Sequence, residues 1–327
     1  MPSTSNNFVL PRPGFAPSPP VPPIPAPSES AFTTTFGALL PPAQYLHLHQ
    51  GNAAYYPLPP STPSPNPPRI LLIHGVQTPA LGLLPLVRAL RASFPTAHLA
   101  LLDLWGHGLS DTPVLPHTPA LFHSLLDAVF DALAWPTAHL IGYSFGGALA
   151  VGYAVSRPSR VQSFTLVAPA GLIRSAALTD EERGHLRGGG DEAAARRWVL
   201  EFLGGYEAPP GDWRERVARG EVVAEAVRAW QMREHGGHGA SVVAVVRDAG
   251  PFDSDAEFLK AVQTGIPSLV VLGELDEVCA ERDIKELGFG NVVVVPQVGH
   301  GVVRERVPEV AGFISDFWTK INLTSSG

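Results

Sequence analysis

The stretch Gly142-Tyr143-Ser144-Phe145-Gly146 sets one serine between two glycines. An apolar run ends there and a small-residue helical pattern begins. A sharp strand-to-helix turn forces its central residue into strained backbone geometry, so the neighbours must be small. Gly142 and Gly146 would let such a turn pack closely. Ser144 would then present its hydroxyl at the N-terminus of the next helix, the arrangement of a nucleophile elbow. A serine hydroxyl is a poor nucleophile at its free pKa and needs a base within hydrogen-bond reach. His300, in "VGHGV", is the candidate base, because an imidazole titrates near neutrality. A base of this kind needs a carboxylate to fix its tautomer and stabilise its charged form. Asp276, in "GELDEV", is the candidate. Glu274 lies two residues away and is a second choice, since an extended turn would aim it to the other side. Each residue also has a plain alternative: a turn serine, a loop histidine, a helix-capping aspartate.

The elements that would position these residues can be read from periodicity. "QYLHLHQ" alternates with period two and "AAYYPL" can return as its hairpin partner. "RILLIHG", "AHLALLD", "AHLIGYS", "VQSFTLV", "PSLVVLGELD" and "NVVVVPQVGH" are short, nearly continuous apolar runs, as in strands buried on both faces. Between them, "GLLPLVRALRASF", "LFHSLLDAVFDALAW", "FGGALAVGYAVS" and "VPEVAGFISDFW" have helical spacing. This alternation predicts a mostly parallel, doubly wound α/β sheet with right-handed crossovers. Ser144, Asp276 and His300 each follow a predicted strand, so they belong on loops at the carboxyl ends. Residues 172–239 hold no strand candidate and are charged and helical in composition. They read as a cap or lid over the strand ends, where open α/β folds bind ligands. The expected organisation is a tail over 1–35, a core over 36–171, the cap over 172–239 and the rest of the core over 240–327.

Composition bounds the function. The chain has 327 residues, 45% of them hydrophobic, enough for a sizeable core. A net charge of −7 and the absence of a basic stripe argue against a nucleic-acid partner. The lone Cys279 excludes an internal disulfide framework and gives no zinc motif, and it fits a reducing, cytoplasmic compartment. There is no basic n-region with an uninterrupted apolar run, and no stretch reaches the length of a membrane span. The triplet Asn322-Leu323-Thr324 fits a glycosylation acceptor and, without a secretion signal, reads as accidental. Of the 34 prolines, 19 fall within residues 1–68, so residues 1–35 are expected to be disordered or polyproline-like. "HGGH" at His235–His238 has no third ligand nearby and reads as solvated loop, not metal site. Trp198, Phe202, Trp213 and Trp230 fit either a pocket lining or the cap's own core.

From about Gln44 to Ile321 the chain resembles the α/β-hydrolase superfamily, on "LLIHG", "DLWGHGLSD", "GYSFGGALA", "GELDEV" and "VGHGV" and on the order Ser…Asp…His. It looks most like the cap-bearing branch of esterases, lactonases, carbon–carbon bond hydrolases and epoxide hydrolases. The resemblance implies an eight-stranded sheet with a helical cap. It implies an oxyanion hole from the N–H groups of Phe145 and of Val76, after "HG", with Gln77 adding a side-chain contact. His74 and His107 would shape loops, and Asp103 would anchor the "HG" loop. The expected activity is hydrolysis of a small ester, lactone or thioester through an acyl-enzyme on Ser144, with no cofactor and no metal, by a monomer or homodimer. Ser144 argues against epoxide hydrolase and haloalkane dehalogenase, whose relatives carry aspartate there. A ring-cleavage type carbon–carbon hydrolase, an acyltransferase and a non-catalytic small-molecule receptor are the alternatives.

Overall fold

A computed structural model describes residues 8–15, 17–205 and 207–321. The triplet Asn322-Leu323-Thr324 lies outside the described residues. Eight strands form one sheet: β1 (Gln44–Leu48), β2 (Gly51–Leu58), β3 (Arg69–Ile73), β4 (His98–Leu102), β5 (Ala138–Tyr143), β6 (Val161–Val167), β7 (Ser268–Gly273) and β8 (Val292–Val295). Their spatial order is β1-β2-β4-β3-β5-β6-β7-β8. The first hairpin runs antiparallel and pairs antiparallel with β4, while every later pairing is parallel.

The continuous apolar strands are continuous because both faces are covered. Successive side chains on a strand point to opposite faces, so each strand feeds two cores. Ile70 and Leu72 of β3 join one core, with the helices Leu84–Ser93 and Val307–Lys320. Leu71 and Ile73 join the other, with the helices Pro119–Ala132 and Phe145–Ser156. The parallel strands bring the ends of β3, β5, β7 and β8 to one edge. That edge carries Val76, Ser144, Asp276 and His300.

Between β6 and β7 the chain is helical. The segments include Asp180–Arg187, Glu192–Phe202, Trp213–Ala218, Ala224–Glu234 and His238–Asp248. The last of these helices spans residue 239, the expected boundary of the insertion. Its C-terminal part is apolar, with Val242, Val243, Val245 and Val246 buried.

The N-terminal segment departs from expectation. Among the described residues of 8–36, several pack against the rest of the chain. Ile24 exchanges two backbone hydrogen bonds of 2.9 Å with Thr112. Arg12 pairs with the buried Asp248 at 2.8 Å. Ser28 caps a helix over Glu29–Phe36, whose Phe32 and Phe36 are 4% and 1% exposed. Both rings pack edge-on to Trp230, with centroids 5.4 and 5.8 Å away. Proline-rich composition signals a chain that makes few bonds to itself; it cannot show apolar side chains finding a surface elsewhere.

Candidate active site

Ser144 adopts φ 53°, ψ −120°, a region few non-glycine residues occupy. The glycines allow it. A Cβ on Gly142 would lie 2.2 Å from the Gly146 carbonyl oxygen, and one on Gly146 would lie 2.1 Å from that of Ile73 on β3. The strained turn is tied down by its backbone: Ser144 N–H donates to Val167 at 3.0 Å, and its carbonyl accepts from Ala170 at 2.9 Å.

The acid turn and the histidine loop also meet closely. A Cβ on Gly273 would lie 2.4 Å from the Gly299 carbonyl oxygen. His300 Nε2 is 2.9 Å from Ser144 Oγ, and its Nδ1 is 3.1 and 3.2 Å from the Asp276 carboxylate oxygens. That network assigns Nδ1–H as donor to Asp276 and Nε2 as acceptor from the serine hydroxyl. The Asp276 side chain is fully buried, while that of His300 is 32% exposed, as a group that must meet a substrate needs to be. Glu274 is exposed and accepts instead from Gln297 N–H at 2.8 Å. Tyr143 OH donates to the His300 carbonyl at 3.1 Å and steadies the loop from β5.

Val76 and Phe145 both border the space in front of Ser144. Phe145 opens its helix, so its N–H has no intrahelical acceptor. Val76 N–H has no acceptor among the described residues. Both donors are therefore available to an incoming oxygen. The backbone of Gln77 is fixed on both sides. It sits at φ 67°; its N–H donates to His107 Nε2 at 3.2 Å, and its carbonyl accepts from Gln231 Nε2 at 2.6 Å.

The loop histidines and Asp103 shape this wall. His74 accepts from Leu104 N–H at 2.9 Å and donates to the Gly75 carbonyl at 2.6 Å. Burial lowers its pKa from an ordinary 6.5 to about 4. Asp103 accepts from Tyr56 OH, Ala80 N–H and Leu109 N–H at 2.7, 2.9 and 2.9 Å. Burial outweighs those bonds and raises its pKa to about 6.

"HGGH" is a correction. His235 and His238 are buried, not solvated. His235 donates to the Ser110 carbonyl at 2.9 Å and His238 to that of Gly106 at 2.8 Å. Gln231 accepts from Gly108 N–H at 2.7 Å, and Ser241 donates to the Trp105 carbonyl at 3.1 Å. Four side chains of the helical insertion thus bind the backbone of one core loop. No local pattern marks Gln231 or Ser241, because their partners lie more than 120 residues away. Among the aromatic candidates, Trp230 is core and Trp213 packs on Phe36. Phe202 lines the cavity before Ser144 and stacks between Trp198 and Phe252.

Two cavities meet at Ser144. One, of about 510 Å³, is walled mainly by Phe145, Ile173, Phe202, Val246, Leu275 and Val278. The other, of about 490 Å³, is walled by Gln77, Thr78, Tyr143, Arg216, Arg228 and Arg304, among others. Among the described residues, no group of three or more His, Cys, Asp or Glu could hold a metal ion. Cys279 is buried and its thiol is pushed up to about 12, chiefly by burial, so it is a poor nucleophile. No helix among the described residues is long and apolar enough to cross a membrane.

Comparison with known proteins agrees with this architecture. Residues 68–203 match a family model described as the alpha/beta hydrolase fold. A Bacillus subtilis (strain 168) protein, provisionally named a 2-succinyl-6-hydroxy-2,4-cyclohexadiene-1-carboxylate synthase, is 26% identical over 69% of this chain and 83% of its own length. Monoacylglycerol lipase ABHD6 of Mus musculus is 24% identical over 79% of this chain and 78% of its own. The crystal structure of the enol-lactonase from Burkholderia xenovorans LB400 superimposes with a TM-score of 0.63 at 22% identity, covering 84% of this chain and all (100%) of that one. With the eight-stranded sheet and its strand order, these likenesses show that the chain has the α/β-hydrolase fold.

Proposed function

We propose that the chain is a serine hydrolase that cleaves a small ester, lactone or thioester through an acyl-enzyme on Ser144. One observation carries this reading: an unbroken hydrogen-bond line from Ser144 Oγ through both His300 nitrogens to the buried Asp276, opening onto an apolar cavity. In the proposed reaction His300 Nε2 takes the serine proton as Oγ attacks the substrate carbonyl carbon. The carbonyl oxygen becomes the oxyanion and accepts from the N–H groups of Val76 and Phe145. As the tetrahedral intermediate collapses, the imidazolium returns its proton to the departing alcohol or thiol. Water then attacks the acyl-enzyme, giving one proton to His300 and its oxygen to the carbonyl carbon. Collapse restores the serine hydroxyl and frees the acid. Asp276 stabilises the imidazolium without itself taking a proton. No step calls for a cofactor.

The test is covalent labelling with a fluorophosphonate, alongside Ser144→Ala, followed by hydrolysis of p-nitrophenyl acetate. Labelling of the parent alone, with sustained turnover, is the expected result. A folded parent that resists labelling would sink the reading. Labelling or an initial burst without sustained turnover would favour a receptor on the same fold.

A further inference from the structure

The two cavities at Ser144 differ in chemistry, and one arginine of the polar cavity forms no ion pair among the described residues. Arg304 lies on the short helix Val302–Glu305, one turn beyond His300. Its guanidinium carbon sits 5.3 Å from the centre of the Tyr143 ring. Its Nη1 is buried and makes no hydrogen bond among the described residues. The other arginines of that cavity are occupied: Arg216 pairs with Glu221 at 2.8 Å, and Arg228 with Glu207 at 2.7 Å. The adjacent Glu305 is turned back over Gly301, where a Cβ would lie 1.9 Å from its Oε1, and it forms no ion pair with Arg304. Arg304 borders the polar cavity and has no acidic partner among the described residues, so its guanidinium is available to an anion bound there. Arginine also presents the planar fork that suits carboxylate and phosphate.

We infer that Arg304 selects a substrate whose alcohol or thiol portion carries a carboxylate or phosphate, held in the polar cavity while an apolar acyl group fills the other. The assignment of sides follows from the chemistry. The departing oxygen or sulfur must lie beside His300 Nε2, which protonates it, and Arg304 stands beyond that histidine on the same loop. The inference rests on the hydrolase reading and specifies its substrate class. Tyr143 holds the guanidinium by its ring face and His300 by its hydroxyl, so one side chain orients both the selector and the base.

The experiment compares three hexanoate esters in the full chain. Their leaving phenols carry a 4-carboxylate, a 4-phosphonooxymethyl group or a neutral 4-methoxycarbonyl group. The parent should prefer one or both anionic esters over the neutral one by about tenfold or more in kcat/KM. In Arg304→Met that ratio should fall to about one, mainly through KM, and Arg304→Lys should restore part of it. The carboxylate and phosphate arms report which anion fits. A parent with no preference, or an unchanged ratio in Arg304→Met, overturns the inference even if the esters are hydrolysed. Failure of every ester, with no fluorophosphonate labelling, sinks the hydrolase reading instead. In that event titration of 4-hydroxybenzoate into parent and Arg304→Met still decides about Arg304: binding weakened about tenfold supports it, and equal binding overturns it.

Discussion

Gln231 offers the sharpest test of how the helical insertion and the core are coupled. Its side chain is fully buried, and its amide spans two backbone groups of different core loops. Oε1 accepts from Gly108 N–H at 2.7 Å, and Nε2 donates to the Gln77 carbonyl at 2.6 Å. Gln231→Met keeps the length and volume but removes both bonds. It leaves a buried donor and a buried acceptor unpaired, at about 1–3 kcal/mol each. Part of that loss is returned because the amide's own desolvation disappears. The net cost should be about 2–4 kcal/mol, read by urea denaturation. There should also be a kinetic effect. Gln77 is held at φ 67°, and the peptide before it connects to Val76, the proposed oxyanion donor. Loss of a whole donor of this kind costs about 10²–10³ in kcat, so a loosened one should cost about 10–100-fold on p-nitrophenyl acetate. A variant within about 0.5 kcal/mol of the parent, the usual effect of a surface substitution, with unchanged kcat would refute the coupling. A destabilised variant with unchanged kcat would show that Gln231 fastens the insertion without positioning Val76.

Other consequences follow from the same structure. Asp276→Asn should lower kcat by about 10⁴, because the wrong ring nitrogen would then carry the proton, while Glu274→Gln should stay close to the parent; the reverse ranking would move the acid to Glu274. Phe36→Ala should cost about 3–5 kcal/mol in urea denaturation and alter tryptophan fluorescence, since the ring is 1% exposed against Trp230 and Trp213; a negligible cost would mean that the N-terminal helix is not anchored. Burial holds His74, His117, His123 and His139 at about 4, below an ordinary 6.5. The unfolded chain therefore takes up protons first, and the stability these groups contribute is full above pH 6.5 and lost as the pH falls towards 4. Each is worth on the order of 3 kcal/mol at the limit, and Asp103, raised to about 6, opposes them as a single group. Stability should fall by at least about 3 kcal/mol between pH 7 and pH 5, and a flat profile over that range would show that these rings are not held neutral.

The sequence alone determined the sheet. Runs such as "RILLIHG" and "AHLIGYS" specify strands buried on both faces because their apolar content and length leave no other place for them. It also determined the turn at Ser144. A strained φ beside a close backbone approach admits only glycine at 142 and 146, and that requirement is written locally. Asp276 and His300 were legible for a related reason. Parallel strands deliver their carboxyl ends to one edge, so a residue's position just after a strand already fixes its neighbourhood. Tertiary structure alone decided the rest. Whether "HGGH" is wet or buried depends on a loop more than 120 residues earlier in the chain. Whether a proline-rich segment is a tail or a brace depends on Trp230 standing where Phe32 and Phe36 can reach it. The partnerless nitrogen of Arg304 is likewise a property of what surrounds it in space. Backbone geometry and burial period are short-range and repeat along the chain. The pairing of one buried polar group with another is long-range, happens once and leaves no periodic trace.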